Sequence, residues 1–234
     1  MKMLGFDTET TGLDLKNDRI VEVAFTRKNT EKSSVREAVI DVDQWVVNPG
    51  IKIPEFVSNI HGITDERAQI EGVNAAESAE KCAQIITEAA SEGRACVIYN
   101  AGYDLGILKY ELLRYSLPDI SERLGRKFIE IVDPLILDRI LDPYRSGSRK
   151  LKDVATHYNV SAFGEYHHAS VDAMITTEIA TKMFLLYDII GEMNYEELYE
   201  FQNEGMRRHV QQRNIWAKKN GKPLHRAKWI SVSI

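Results

Sequence analysis

Asp7 and Glu9 stand two apart in FDTETTGL, Asp104 follows in YNAGYD, and His167 and Asp172 lie together in HHASVDA. Four carboxylates and an imidazole in three short stretches are the parts of a site for two divalent cations with a histidine base beside it. Such a site suits phosphodiester cleavage. Asp7 and Glu9 fall on a strand-like segment, where alternate side chains share one face. Two carboxylates that close repel, and one is driven to protonate unless a cation joins them. The plainer alternative is an exposed strand end. Asp7, Glu9, Thr11, Gly12 and Asp18 also match positions of an EF-hand calcium loop, but such a loop needs a preceding helix and MKMLGF reads as a strand.

Asp104 opens a predicted helix, where a carboxylate can serve simply as a cap. Asn100 and Gly102 just before it suggest a tight strand-to-helix turn that puts Asp104 at a sheet edge, where ligands bind. Asp172 is the sharper anomaly. On its helix the apolar stripe runs Ile175, Ile179, Met183, Leu186, and Asp172 continues it three and seven positions earlier. A carboxylate on a buried face needs a partner, either a metal or an Arg or Lys. His167 and His168 lie just upstream, and by spacing alone either can serve as a base near neutral pH.

These residues need elements to position them. Met3–Thr8, Ile20–Arg27 and Ala38–Val47 read as strands, with Asn48-Pro49-Gly50 ending the third. Short helices and turns are expected over 54–71, and helices over Ala75–Glu92, Asp104–Tyr115, Pro134–Leu141, Leu151–Tyr158 and Ala169–Tyr187. Ala95–Tyr99 and Phe128–Asp133 are the fourth and fifth strands. Tyr195–Lys218 reads as a helix outside the main body, and Pro223–Ile234 as a strand or tail. This order predicts an α/β layered domain with a mixed sheet.

With 44% hydrophobic and 28% charged residues in 234, the chain can bury one sizeable core. It has no apolar run near the length of a membrane span, and its start lacks a signal peptide's apolar region. Cys82 and Cys96 form neither a disulfide framework nor a metal knuckle, and we read them as reduced thiols in a cytoplasmic protein. The net charge of −5 is unevenly spread. Glu204 is the last acidic residue and eight of the 30 Lys and Arg follow it, so the tail carries +8 and the preceding chain −13. Such asymmetry suits contact with a polyanion, or a tail that docks on its own acidic body. Arg145, Arg149 and Lys150, in a Ser-Gly-Ser loop, are either phosphate contacts or a solvated loop.

FDTETTGL, NPG followed by IHGIT, NAGYD and HHASVDA, in that order, resemble the DEDDh group of DnaQ-like 3′→5′ exonucleases over residues 3 to about 188. The resemblance implies an RNase H-like fold with a five-stranded mixed sheet, an exonuclease domain over 1–190 and a basic extension over 191–234. It implies that Asp7, Glu9, Asp104 and Asp172 hold two Mg²⁺ or Mn²⁺ ions. The family's H-x-A-x-x-D spacing selects His167 over His168 as the base. Leu13 resembles the residue that wedges beside the terminal base, and Thr10 and His61 resemble substrate contacts. Tyr103 departs from the pattern, where phenylalanine is common. The expected activity is release of nucleoside 5′-monophosphates from single-stranded DNA 3′ ends, in replication, repair or proofreading. RNA is the alternative substrate. A second alternative is an interaction subunit whose extension docks on a polymerase or repair protein. No membrane partner is expected.

Overall fold

The computed structural model describes residues 2–29, 41–161 and 167–224. Three strands lead: β1 (Lys2–Thr10), β2 (Ile20–Asn29) and β3 (Asp41–Asn48). Short helices α1 (Glu55–His61) and α2 (Asp65–Glu71) precede β4 (Val73–Asn74), α3 (Ala75–Ser91), β5 (Ala95–Val97), α4 (Ala101–Arg114), α5 (Ile120–Leu124) and β6 (Ile131–Val132). Helices α6 (Pro134–Leu141), α7 (Leu151–His157), α8 (Ala169–Leu186), α9 (Asp188–Gly191) and α10 (Tyr195–Lys219) complete the order. The strands form one mixed sheet in the order β4-β3-β2-β1-β5-β6. β1, β2 and β3 pair antiparallel, whereas β5 lies parallel to β1, β6 to β5 and β4 to β3.

The mixed α/β sheet agrees with the sequence, but it has six strands instead of five. The added strand, β4, is two residues long and leads directly into the Asn74 cap of α3, too short for any periodicity to reveal. Of the strand expected over 128–133 only Ile131 and Val132 pair. Residues 38–40 of the expected third strand and residues 225–234 of the tail lie outside the described residues.

Alternation along β1 builds two cores. Leu4 and Phe6 face α3 and α4, and Phe6 stacks on Phe25 at 4.7 Å between ring centres. Met3, on the other face, packs with Ile175, Ile179 and Met183 of α8. Burying each such side chain contributes about 1.5–3 kcal/mol. Gly5 lets α8 seat directly on β1. A Cβ there would stand 2.3 Å from the Thr177 and Thr26 hydroxyls and 2.8 Å from the Ala173 carbonyl. Asp172, one residue before Ala173, is thereby carried over the end of β1, on the face shared by Gly5, Asp7 and Glu9. Lys28 adds a salt bridge to Glu178 farther along the same helix.

Helix α10 is not outside the body as expected. Leu198, Tyr199, Gln202, Gly205 and Val210 are buried against it, and a Cβ on Gly205 would lie 2.2 Å from the Ile140 side chain of α6. The sequence hid this because the buried positions are a minority in a helix that is polar on average. No helix among the described residues is long and apolar enough to cross a membrane.

Candidate active site

Three elements bring the carboxylates together. β1 supplies Asp7 and Glu9, the first turn of α8 supplies Asp172, and α4 supplies Asp104. Asp104 does not open its helix as expected. The helix begins three residues earlier, after Asn100, whose left-handed backbone (φ 62°) makes the sharp turn out of β5. Asp104 is therefore no cap. Its buried carboxylate accepts the Thr8 amide at 3.0 Å and the Thr8 hydroxyl at 2.7 Å, which fixes α4 to β1.

Glu9, His167 and Asp172 each offer a ligand atom, and these atoms all lie within 4.8 Å of one another. His167 is solvent-exposed and has a left-handed backbone, φ 69°, a strained conformation of the kind that gathers at functional sites. Its amide donates to Asp172 Oδ2 at 3.3 Å. His168 instead occupies the N-cap of α8 without a side-chain cap bond. The sequence left the two histidines equivalent by spacing; the fold brings His167 into the ligand cluster.

The electrostatics are those of a charge-repelling pocket. Burial, then Asp104, Asp172, Glu9 and Glu22, hold the Asp7 carboxyl well above the usual carboxylate range. Burial, then Asp172, Glu22 and Asp104, push Glu9 up to about 9. Asp104 is raised to about 7 and Asp172 to about 6, both first by burial, with the Thr8 bonds and the nearby His167 and His168 opposing. The charges acting most strongly on Asp7 and Glu9 are all carboxylates. Asp172 Oδ1 is buried without a hydrogen-bond partner among the described residues. Hard oxygen donors in this number, offset most strongly among the described residues by no Lys or Arg but only by the neighbouring histidines at Asp172, fit a divalent cation such as Mg²⁺ or Mn²⁺.

Glu22 is a fifth acidic residue that sequence reasoning missed. It faces Glu9 across the β1–β2 register and is buried. Its carboxylate accepts from Gln44 Nε2 at 2.8 Å and from the Ala169 amide at 3.1 Å, so it ties the start of α8 to β2. The available signal was a lone glutamate in the apolar run IVEVAF.

The three expected substrate contacts fall around this cluster unequally. Leu13 is 86% exposed at the tip of the turn after β1. Tyr103, the departure from the family pattern, holds that turn. Its hydroxyl donates to the Gly12 carbonyl at 2.6 Å and lies 2.5 Å from the Thr10 hydroxyl. Thr10 is buried, and its hydroxyl is engaged with Gly12 and Tyr103. Asp18, the last of the EF-hand-like positions, braces the turn through Thr11 Oγ1 (2.9 Å) and the Asp14 amide (2.8 Å). Buried His61 accepts the Ile63 amide at Nδ1 (3.1 Å), which leaves its proton on Nε2, and burial lowers its pKa. The Thr10 backbone and Glu22 act against that lowering, and His167 with it.

Arg145 and Arg149 are neither free phosphate contacts nor a solvated loop. Both bind the buried Asp138 carboxylate, Arg145 at 2.8 Å and Arg149 in a direct ion pair. Cys82 and Cys96 are buried free thiols, held protonated by burial.

The exonuclease family RNase T matches residues 4–180. The PolC-type DNA polymerase III of Lacticaseibacillus paracasei is 31% identical over 172 residues, which cover 73% of this chain and 10% of that protein. E. coli exonuclease I in complex with a dT13 oligonucleotide superposes with a TM-score of 0.63 at 19% identity, over 81% of this chain and 43% of that one. The zinc-bound form of the complex of E. coli exonuclease I with single-stranded DNA gives 0.65 at 19% identity, over 81% and 42%. These neighbours share the RNase H-like fold. The chain thus spans about a tenth of the length of the curated relatives it matches and under half of the exonuclease I chains.

Proposed function

Since the chain belongs to the RNase T family of DnaQ-like 3′→5′ exonucleases, we propose that it removes nucleoside 5′-monophosphates from single-stranded DNA 3′ ends with two bound Mg²⁺ or Mn²⁺ ions. The observation that carries this reading is the meeting of half-buried Asp7 and Glu9 with buried Asp104 and Asp172, in which the charges acting most strongly on Asp7 and Glu9 are carboxylates. These four side chains would hold the cations. When bound, a pair of divalent cations supplies water activation and charge stabilisation on the attacking and leaving oxygens.

The chain's own residues do the rest. His167, exposed beside Glu9 and Asp172, accepts the proton of the attacking water. A new phosphorus–oxygen bond forms, the bond to the leaving 3′ oxygen breaks, and that oxygen takes a proton from solvent, so the shortened strand keeps a 3′ hydroxyl. Leu13, held out by the Tyr103–Gly12 bond, wedges beside the terminal base. Thr10 and His61 shape the floor beneath it; the engaged Thr10 hydroxyl makes its contribution one of shape and backbone. We take residues 1–190 as the exonuclease domain that carries the ligands and 191–234 as an extension of it.

The exonuclease I neighbours with single-stranded DNA favour that substrate over RNA. The PolC-type relatives favour a role in replication or repair in the cytoplasm, with the extension as the place for a polymerase or repair partner. The test is degradation of 5′-labelled single-stranded DNA and RNA of one sequence, with Mg²⁺ or Mn²⁺ and with EDTA. A ladder shortening from the 3′ end, abolished by EDTA and faster on DNA, is the expected result. Faster cleavage of RNA moves the enzyme to the ribonucleases of this family. No cleavage of either by folded protein makes the chain an interaction subunit.

A further inference from the structure

Helix α10 closes the outer edge of the sheet. β6 is the last strand, and an edge strand presents unpaired amides and carbonyls that need partners when buried. Gln202, 0% exposed, supplies them. Its Nε2 donates to the Ile131 carbonyl at 2.9 Å and its Oε1 accepts the Asp133 amide at 2.8 Å. One side-chain amide thus stands in for a residue of a seventh strand. Gly205, three positions on, allows the close approach of α10 to α6 that seats Gln202 there.

The residue that Gln202 fixes holds two helix starts at once. Asp133, also 0% exposed, is the N-cap of α6 and accepts the Leu135 and Ile136 amides at 3.0 and 3.4 Å. The same carboxylate accepts the Asn100 and Ala101 amides at 3.1 and 2.9 Å. Asn100 makes the left-handed turn into α4 and has no side-chain cap bond of its own. Asp133 therefore provides the cap that α4 lacks, and the first turn of α4 ends at Asp104. Buried amide–carboxylate bonds of this kind are strong and directional, so they set the position of the turn and not merely its stability.

We propose that Gln202 and Asp133 are positioning residues for the Asp104 ligand, which makes the C-terminal helix a working part of the catalytic unit. This rests on the metal-site reading above. Partners that orient ligands in this way typically change metal affinity by about 10–100-fold when removed.

The test uses the full chain and three measurements: calorimetric titration with Mn²⁺, amide hydrogen exchange at Asn100 and Ala101, and kcat and KM on single-stranded DNA. Gln202→Met keeps the side-chain volume and removes the bonds to Ile131 and Asp133, together with the one to the Leu198 carbonyl of its own helix. It is expected to weaken Mn²⁺ binding by about tenfold or more, to speed exchange at the two amides, and to lower kcat with KM unchanged. Ile190→Ala, at a buried position of α9 at the far end of α8, is the control for general loss of stability. It is expected to lower Tm without moving Mn²⁺ affinity. Gln202→Met with wild-type Mn²⁺ affinity and unchanged exchange overturns the proposal. Wild-type protein that binds no Mn²⁺ overturns the metal reading instead, and exchange at Asn100 and Ala101 then decides whether the brace exists. If Gln202→Met does not fold, Asp133→Asn carries the same measurements, since it keeps the shape and one acceptor oxygen. Wild-type exchange and Mn²⁺ affinity in that variant overturn the proposal equally.

Discussion

Asp138 and Asp172 are both buried aspartates on helices, and among the described residues the Oδ1 of each has no hydrogen-bond partner. They differ in the charges around them. Two guanidiniums, from Arg145 and Arg149, share Asp138 Oδ2, so the charge is neutralised within the fold. Among the described residues Asp172 has Asp7 and Glu9 as neighbours and the two histidines to offset them. The cost of burying a carboxylate is met locally at Asp138, which marks a structural residue. At Asp172 it is left for something outside the chain to meet, which marks a functional one.

Removing a carboxylate from the unpaired cluster tests the contrast most severely. Asp172→Ala is expected to lower kcat by about a thousandfold or more, because charge stabilisation by a held cation is worth several kcal/mol. The same substitution relieves repulsion, so metal-free Tm should hold or rise. Wild-type turnover in this variant would remove Asp172 from the site. Asp7→Ala should behave alike.

The histidines sharpen the contrast on the basic side. His167→Ala is expected to lower kcat by about a hundred- to ten-thousandfold, the range for loss of a general base. His168→Ala, at the N-cap of α8, should cost far less. Steady-state rates on a single-stranded substrate decide it, and the reverse ranking would exchange their roles.

At the paired site the readout moves from turnover to stability. Arg149→Ala leaves the buried Asp138 with one cation and removes bonds to the Asp138 and Asp142 carbonyls. Breaking a buried pair costs about 3–5 kcal/mol when no cation remains, and Arg145 keeps the loss toward the lower end. Urea denaturation measures it. Weakened DNA binding at unchanged stability would restore the phosphate-contact reading of this loop.

How much of this was legible depends on the distance over which each feature is specified. The shared face of Asp7 and Glu9 follows from a two-residue period, and the buried placing of Asp172 from a helical stripe. Both are local, and the fold has Ile175, Ile179 and Met183 buried beside Asp172 as that stripe requires. The stripe fails only at Leu186, which is 64% exposed where α8 ends. Asp104 was placed beside a tight turn at Asn100 and Gly102, but the helix was started three residues late, so that a cap stood as the alternative to a ligand. Glu22, Asp133 and Gln202 escaped notice for a different reason. Each acts across the sheet on a residue distant in sequence, Ala169, Asn100 and Ile131 respectively, and strand register is not written in any one segment. Arg145 and Arg149 were misjudged likewise, since their partner lies on a helix that read simply as apolar.

The last expected effect is a dependence of metal-free stability on pH, and its sign separates the cluster from ordinary surface carboxylates. Glu9, Asp104 and Asp172 titrate at about 9, 7 and 6 in the folded chain, each raised first by burial. In the unfolded chain they titrate near the usual carboxylate values, so between the two the native state holds more protons. Stability from these groups is complete below the unfolded pKa and is lost as pH rises through the folded values. Glu80 has the opposite sign. Its pKa is lowered by the Arg123 guanidinium, so its contribution is present above the usual value and lost as pH falls. The two trends occupy different windows, and above about pH 5 only the cluster's slope remains from these groups. With EDTA present, Tm should therefore fall between about pH 5 and about pH 9. Saturating Mg²⁺ should flatten that fall, because the cation binds the deprotonated cluster and its stabilisation grows as protons leave. Scanning calorimetry at fixed ionic strength measures both curves. A metal-free Tm that rises across the window would mean that the carboxylates are paired within the fold after all, and the contrast with Asp138 would disappear.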